Sequence, residues 1–141
     1  NKKDEAITTN GFFTGQRKHW REDGTLKLVE IINGQCSTDC CDGKVIFYTE
    51  KGEKLIEYTQ RNGKWNGEGI GYFPDGKIKR KFIYVNGKKN GLNYEYYPNG
   101  QISVEGNYLD DLETGKWIYR DSIGNISGYE IYKDGQVIET K

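Results

Sequence analysis

Glycine recurs in this chain with a period of 24. Gly43, Gly67, Gly91 and Gly115 open four blocks of equal length, 43–66, 67–90, 91–114 and 115–138, and Gly15 opens an earlier block, 15–42, with four extra residues. A second glycine follows each opening glycine by nine: Gly24, Gly52, Gly76, Gly100 and Gly124. A third turn signal comes about ten residues further on, at Asn33-Gly34, Asn62-Gly63, Asn86-Gly87, Asp110-Asp111 and Asp134-Gly135. Self-similarity at this period marks an array of small units, each unable to bury its own apolar face and each stacked on its neighbours.

The punctuation names the unit. The two prolines, Pro74 and Pro98, occupy the same place in their blocks, ahead of Asp75-Gly76 and Asn99-Gly100. Proline presets φ at the start of a turn, Asn and Asp tolerate the left-handed region, and glycine enters it at low cost. Between turns the runs are six to nine residues long and rich in Tyr, Phe, Ile, Val and Trp, which is the length and composition of strands. No segment sustains a helical period with caps. Each block therefore reads as a β-hairpin. The expected fold is all-β, an elongated array of antiparallel hairpins with about ten strands. Residues 1–14 form an N-terminal capping segment in this reading, 15–138 the repeat domain, and 139–141 a short tail.

Alternation across the strands sorts the apolar residues into two faces. In each first strand the third and fifth positions after the opening glycine share a face: Lys18/Trp20, Ile46/Tyr48, Ile70/Tyr72, Tyr94/Tyr96 and Ile118/Arg120. This ladder is expected to pack between repeats. The other face of the first strand carries Phe47, Phe73, Tyr97, Trp117 and Tyr119 among polar residues. Aromatic side chains in polar surroundings suit a protein interface, so these five are the candidate partner-binding residues. A second packed layer in a curled sheet accounts for them as well.

Composition narrows the function. Of 141 residues 34% are hydrophobic, Lys+Arg and Asp+Glu both number 21, and no apolar run is long enough for a transmembrane helix. A net charge of zero argues against a nucleic-acid partner. The basic stretch Lys77, Lys79, Arg80, Lys81, Lys88 and Lys89 is divided by alternation between two faces and reads as solvated strand surface. Three cysteines, Cys36, Cys40 and Cys41, fall within six residues where the first block holds its insertion. Their spacing is not that of a zinc site. They are disulfide candidates, with free thiols as the alternative. His19 is the single histidine and offers a nucleophilic cysteine little support. Gly67-x-Gly69-x-Gly71 lacks the following helix that a phosphate-binding loop requires. No cofactor, metal site or catalytic activity is expected. The charged start, Asn1-Lys2-Lys3-Asp4-Glu5, reads as a trimmed terminus, which tilts the expected location toward the cell envelope.

The pattern is carried well by Gly67-Glu68-Gly69-Ile70-Gly71-Tyr72-Phe73-Pro74-Asp75-Gly76-Lys77-Ile78 and by Gly115–Tyr119 with Gly124-Asn125-Ile126. It resembles the MORN repeat variant, in particular the bacterial YwqK-type antitoxin proteins, over roughly residues 11–139. Arg120 departs from it, standing where Trp20, Tyr48, Tyr72 and Tyr96 place an aromatic ring. The resemblance implies an elongated sheet of successive hairpins and a non-catalytic protein-binding module of antitoxin or immunity type. A cell-envelope structural or surface lipoprotein is the alternative it leaves open. It brings no active site.

Overall fold

The period of 24 is written into one continuous sheet. In the computed structural model, which describes residues 5–9, 12–36 and 42–141, every regular element is a strand. These are β1 (Glu5–Thr9), β2 (Phe12–Trp20), β3 (Leu26–Cys36), β4 (Gly43–Tyr48), β5 (Lys54–Arg61) and β6 (Lys64–Tyr72), followed by β7 (Ile78–Val85), β8 (Lys88–Tyr96), β9 (Ile102–Leu109), β10 (Leu112–Arg120), β11 (Ile126–Lys133) and β12 (Gln136–Thr140). They pair antiparallel in chain order from β1 to β12, with no crossover. The all-β hairpin array is therefore the fold, with twelve strands where ten were expected. β1 forms within the segment 1–14, and β12 begins before the expected tail.

Two kinds of turn alternate along the sheet. At the wide turns the N–H of Arg21, Thr49, Phe73, Tyr97 and Asp121 donates to the carbonyl four residues on, and the glycine three residues on donates back, at 2.8–3.0 Å. This is a type I turn closed by a left-handed residue, and glycine fills that position each time because φ there is positive. Asp23, Asp75 and Asn99 accept the backbone N–H two residues further on, an added brace for the turn. The narrow turns have two central residues with φ of 49–52° and 70–88°, the geometry of a type I′ hairpin. Asp110-Asp111 adopts it too, despite lacking glycine. Asp111 is compensated by bracketing Lys89, donating its N–H to the Lys89 carbonyl and accepting the Lys89 N–H on Oδ1 at 2.7 Å.

Two local expectations are corrected. Asn33 and Gly34 do not turn the chain. β3 runs through them to Cys36, which pairs with Phe13 on a longer β2, so the extra residues of the first block lengthen its hairpin before the cysteine segment. The block-opening glycines, in turn, do not start most strands. Gly67, Gly91 and Gly115 lie three residues inside β6, β8 and β10 with φ of 105°, 108° and 68°, close to places where the pairing register slips. They are bulge positions, which bend and twist a strand and favour glycine.

Register defines the faces. One row crosses the sheet through Val45, Tyr58, Gly69, Phe82, Asn93 and Gly106. This is the core face. With Ile32, Ile56, Tyr84 and Trp117 it holds most of the buried apolar side chains among the described residues. The opposite, ladder face runs through Val29, Ile46, Glu57, Ile70, Lys81, Tyr94, Glu105 and Ile118. Val29 and Ile46 are buried there, while Ile70 and Tyr72 are half-buried.

Glycines inside strands explain how one layer buries large rings. A Cβ at Gly69 would sit 2.2 Å from the Phe82 ring, and one at Gly106 2.2 Å from the Trp117 indole. Each ring lies across the bare backbone of the neighbouring strand, covering peptide groups and filling the space a side chain would take. Around Phe82, at 3% exposure, Tyr58 stacks on Trp65 at 4.3 Å and Tyr84 meets Phe82 edge-on at 5.5 Å. Tyr108 and Tyr132 flank Trp117 in the same manner.

Candidate functional site

The five aromatic candidates fall into two groups. Phe47, Trp117 and Tyr119 are on the core face. Trp117 is 6% exposed, and among the described residues its indole N–H has no hydrogen-bond partner, a cost of about 1–3 kcal/mol that burial of the ring offsets. Phe47 packs against the Ile56–Phe82–Tyr84 cluster. The Tyr119 hydroxyl donates to Glu130 at 2.6 Å, and the Tyr132 hydroxyl donates to the same carboxylate at 2.8 Å. Burial and the bond to Glu130 push the Tyr119 phenol up. The packing alternative therefore accounts for these three side chains in the isolated chain.

Phe73 and Tyr97, expected on a strand face, instead lie just past the ends of β6 and β8 and open two consecutive wide turns. The Tyr97 hydroxyl donates to the carbonyl of Arg120, at the end of β10, at 2.8 Å. Arg21, at the same repeat position, does the equivalent with its guanidinium, donating to the carbonyls of Tyr48, Thr49 and Leu26. Both staple one wide turn to the next. Phe73 has neither hydroxyl nor guanidinium. The turn at 73–77 reaches its neighbour through Lys77 instead, whose ammonium donates to the Pro98 carbonyl at 3.1 Å.

Between those two turns the ladder face opens into a trough. Ile78, Lys81 and Tyr96 line a depression of about 420 Å³ walled by Gly76 and Gly100. It continues into a second, of about 260 Å³, where Ile83, Leu92 and Tyr94 join Lys81 and Tyr96, with Glu68 at the side. Leu92, Tyr94 and Tyr96 are alternate residues of β8 and so stand on one face. Tyr94 occupies the position held by Ile46, Ile70 and Ile118 in the other 24-residue blocks. Among the described residues neither the Tyr94 nor the Tyr96 hydroxyl has a hydrogen-bond partner. Lys81 reaches the Glu68 carboxylate only at 3.8 Å, with both side chains well exposed.

Glu57 and Glu105 on this face are already satisfied. Burial pushes the Glu57 carboxyl up, but hydrogen bonds from Lys44 and Lys54, both 3.1 Å, outweigh it and hold the group below its ordinary value. Arg120 pairs with Glu105 at 2.6 Å, so the residue that breaks the aromatic pattern takes up that glutamate. Burial and the Glu57 charge push the Tyr72 phenol up to about 12.

His19 faces Glu30 at 3.2 Å on the core face. Cys36 ends β3, while Cys40 and Cys41 lie outside the described residues, and with them the question of pairing. Among the described residues no group of three His, Cys, Asp or Glu side chains is arranged to hold a metal ion, and no helix is long and apolar enough to cross a membrane. Gly69 and Gly71 prove to be seats for the Phe82 ring and the Arg80 side chain. The trough was missed in the sequence because its ladder was expected to be covered. The visible signal was Tyr94, which stands where the other three 24-residue blocks carry Ile.

Comparison with known families finds the MORN repeat variant twice, over residues 65–86 and 89–110. These segments contain Ile78, Lys81 and Ile83 on one side of the trough and Leu92, Tyr94 and Tyr96 on the other. No curated protein matches the chain.

Proposed function

We propose that this chain is a non-catalytic protein-binding repeat module and that it receives its partner on the ladder face. The observation that carries this reading is the trough along β8, where apolar and tyrosine surface is left open while the core face is filled by its own rings. MORN repeats generally bind proteins or membranes, and the trough lies within the two matched segments. Half-exposed tyrosines beside aliphatic side chains are what interfaces are enriched in. Phe73 and Tyr97 take part by shaping the flanking turns, and Phe47, Trp117 and Tyr119 by holding the sheet from behind. The narrower role of an antitoxin or immunity protein rests on the resemblance alone.

Affinity capture from a lysate of the source organism, read by mass spectrometry and followed by titration of the purified partner, tests the reading. A single saturable protein whose binding is lost in the Tyr94→Ala/Tyr96→Ala variant is expected. A toxin as that protein would establish the narrower role. Absence of any saturable protein, or a partner indifferent to both tyrosines, would contradict the proposal. Envelope material recovered without a saturable partner would favour the structural alternative.

A further inference from the structure

We infer that the trough along β8 recognises an extended, acidic segment of the partner, in which an apolar side chain is followed two residues later by a carboxylate. This rests on the protein-binding reading above and specifies its ligand. Alternate side chains of an extended chain are spaced by roughly 6.5–7 Å, and so are Leu92, Tyr94 and Tyr96. A segment lying along β8 therefore presents one side chain to each level of the trough.

The chemistry of the levels differs. At the first, Leu92 and Ile83 are 47% and 39% exposed and offer an aliphatic seat. At the second, Lys81 and Tyr94 are cross-strand partners and line the same depression. At the third stand Tyr96 and Ile78, below the turn whose Lys77 crosses to Pro98. Lys81 is the cation at this level, and Glu105, across from Tyr94, is taken up by Arg120. Glu68 is the carboxylate at the side of the trough, and its pairing with Lys81 is long and exposed, hence worth little in water. An incoming carboxylate replaces it while gaining the tyrosine hydroxyls, which is a charge-assisted arrangement. An incoming lysine at the same level would meet Lys81 instead.

A membrane surface fits less well. The cations lining the trough are Lys77 and Lys81, and the Lys77 ammonium is held by the Pro98 carbonyl, which leaves too little positive charge to hold a sheet of anionic headgroups. The cations nearby are also divided between faces, since Arg80 lies on the core face against Gly71.

The test uses fluorescence polarisation with short fluorescein-labelled peptide pools built on Leu-x-Glu-x-Glu, Leu-x-Gln-x-Gln and Leu-x-Lys-x-Lys. The first pool is expected to bind about tenfold or more tightly than the last. Lys81→Gln and Tyr94→Ile should each weaken it by about tenfold. Tyr94→Ile installs the residue that three other blocks carry and should leave the circular-dichroism spectrum unchanged. Equal binding of the acidic and basic pools, or indifference to both substitutions, would overturn the assignment. So would binding to phosphatidylserine–phosphatidylcholine vesicles with none to the acidic pool. Capture of a saturable protein that both variants still bind would leave the module reading standing and remove this ligand. Failure of the unaltered chain to capture any protein would remove the module reading itself.

Discussion

At the scale of single residues, the glycines that look weakest are the ones that make a one-layer core possible. A glycine inside a strand ordinarily costs entropy and packs nothing. Gly69 and Gly106 instead seat an aromatic ring from the next strand, so Gly106→Ala forces the Trp117 indole out of place. Overpacking of this kind should cost about 1–3 kcal/mol, read as a lowered midpoint in urea without loss of the β spectrum. Tyrosine ionisation gives a second check. Tyr72 and Tyr108 are both pushed up to about 12, first by burial and then by the carboxylates of Glu57 and Glu113. Their folded pKa lies above the unfolded value near 10, so their stabilising effect is complete below pH 10. It is lost as pH rises from about 10 through 12. Thermal unfolding followed through that window should show a falling midpoint, and Tyr72→Phe should make the fall shallower.

At the scale of the hairpin, wide turns are joined by side chains within them, from the opening residue at Arg21 and Tyr97 and from the closing residue at Lys77. Tyr97→Phe removes the hydroxyl that reaches the Arg120 carbonyl and makes that turn resemble the one opened by Phe73. A loss of about 1 kcal/mol is expected, measured by chemical denaturation. An unchanged midpoint would show that the staple contributes nothing. Much of this level was legible in advance. Asn62-Gly63, Asn86-Gly87, Asp134-Gly135 and even Asp110-Asp111 turn where expected, because left-handed backbone demands particular residue types. Asn33-Gly34 carried the same signal and was overridden, since β2 is long enough to keep β3 paired as far as Cys36. The phase of the opening glycines was misread for a related reason. Positive φ at Gly67 and Gly91 marks a bulge as readily as a turn, and only pairing tells the two apart. The distribution of burial was less legible. Periodicity separates Phe47, Trp117 and Tyr119 from the Ile70/Tyr72 ladder, but which set is covered depends on rings crossing to glycines of neighbouring strands. That relation between blocks is invisible within one block. β8 stayed open on the ladder face, and the sequence shows this only in Tyr94.

At the scale of the whole molecule, a sheet in chain order has a nearly one-dimensional energy. Each strand between β1 and β12 is paired with its two sequence neighbours, so stability is approximately a sum over hairpins and the joints between them. Val45→Ala, in a buried site on β4, should therefore raise amide hydrogen exchange in β3, β4 and β5 while leaving β9–β11 protected. Uniform loss of protection would indicate a cooperative unit wider than the fold implies. The same organisation lets the trough on β8 vary without disturbing distant blocks.

The measurement that bears most directly on this account is a map of interstrand nuclear Overhauser contacts in the backbone of the isotope-labelled chain. The account predicts contacts only between strands adjacent in sequence, at the observed registers: Gly67 with Tyr84, Tyr94 with Lys81 and Glu105, and Ile118 with Glu105. Contacts between strands distant in sequence, or a register displaced by one residue, would contradict it. A one-residue slip exchanges the faces, placing Phe82 on the surface and closing the trough against Tyr94.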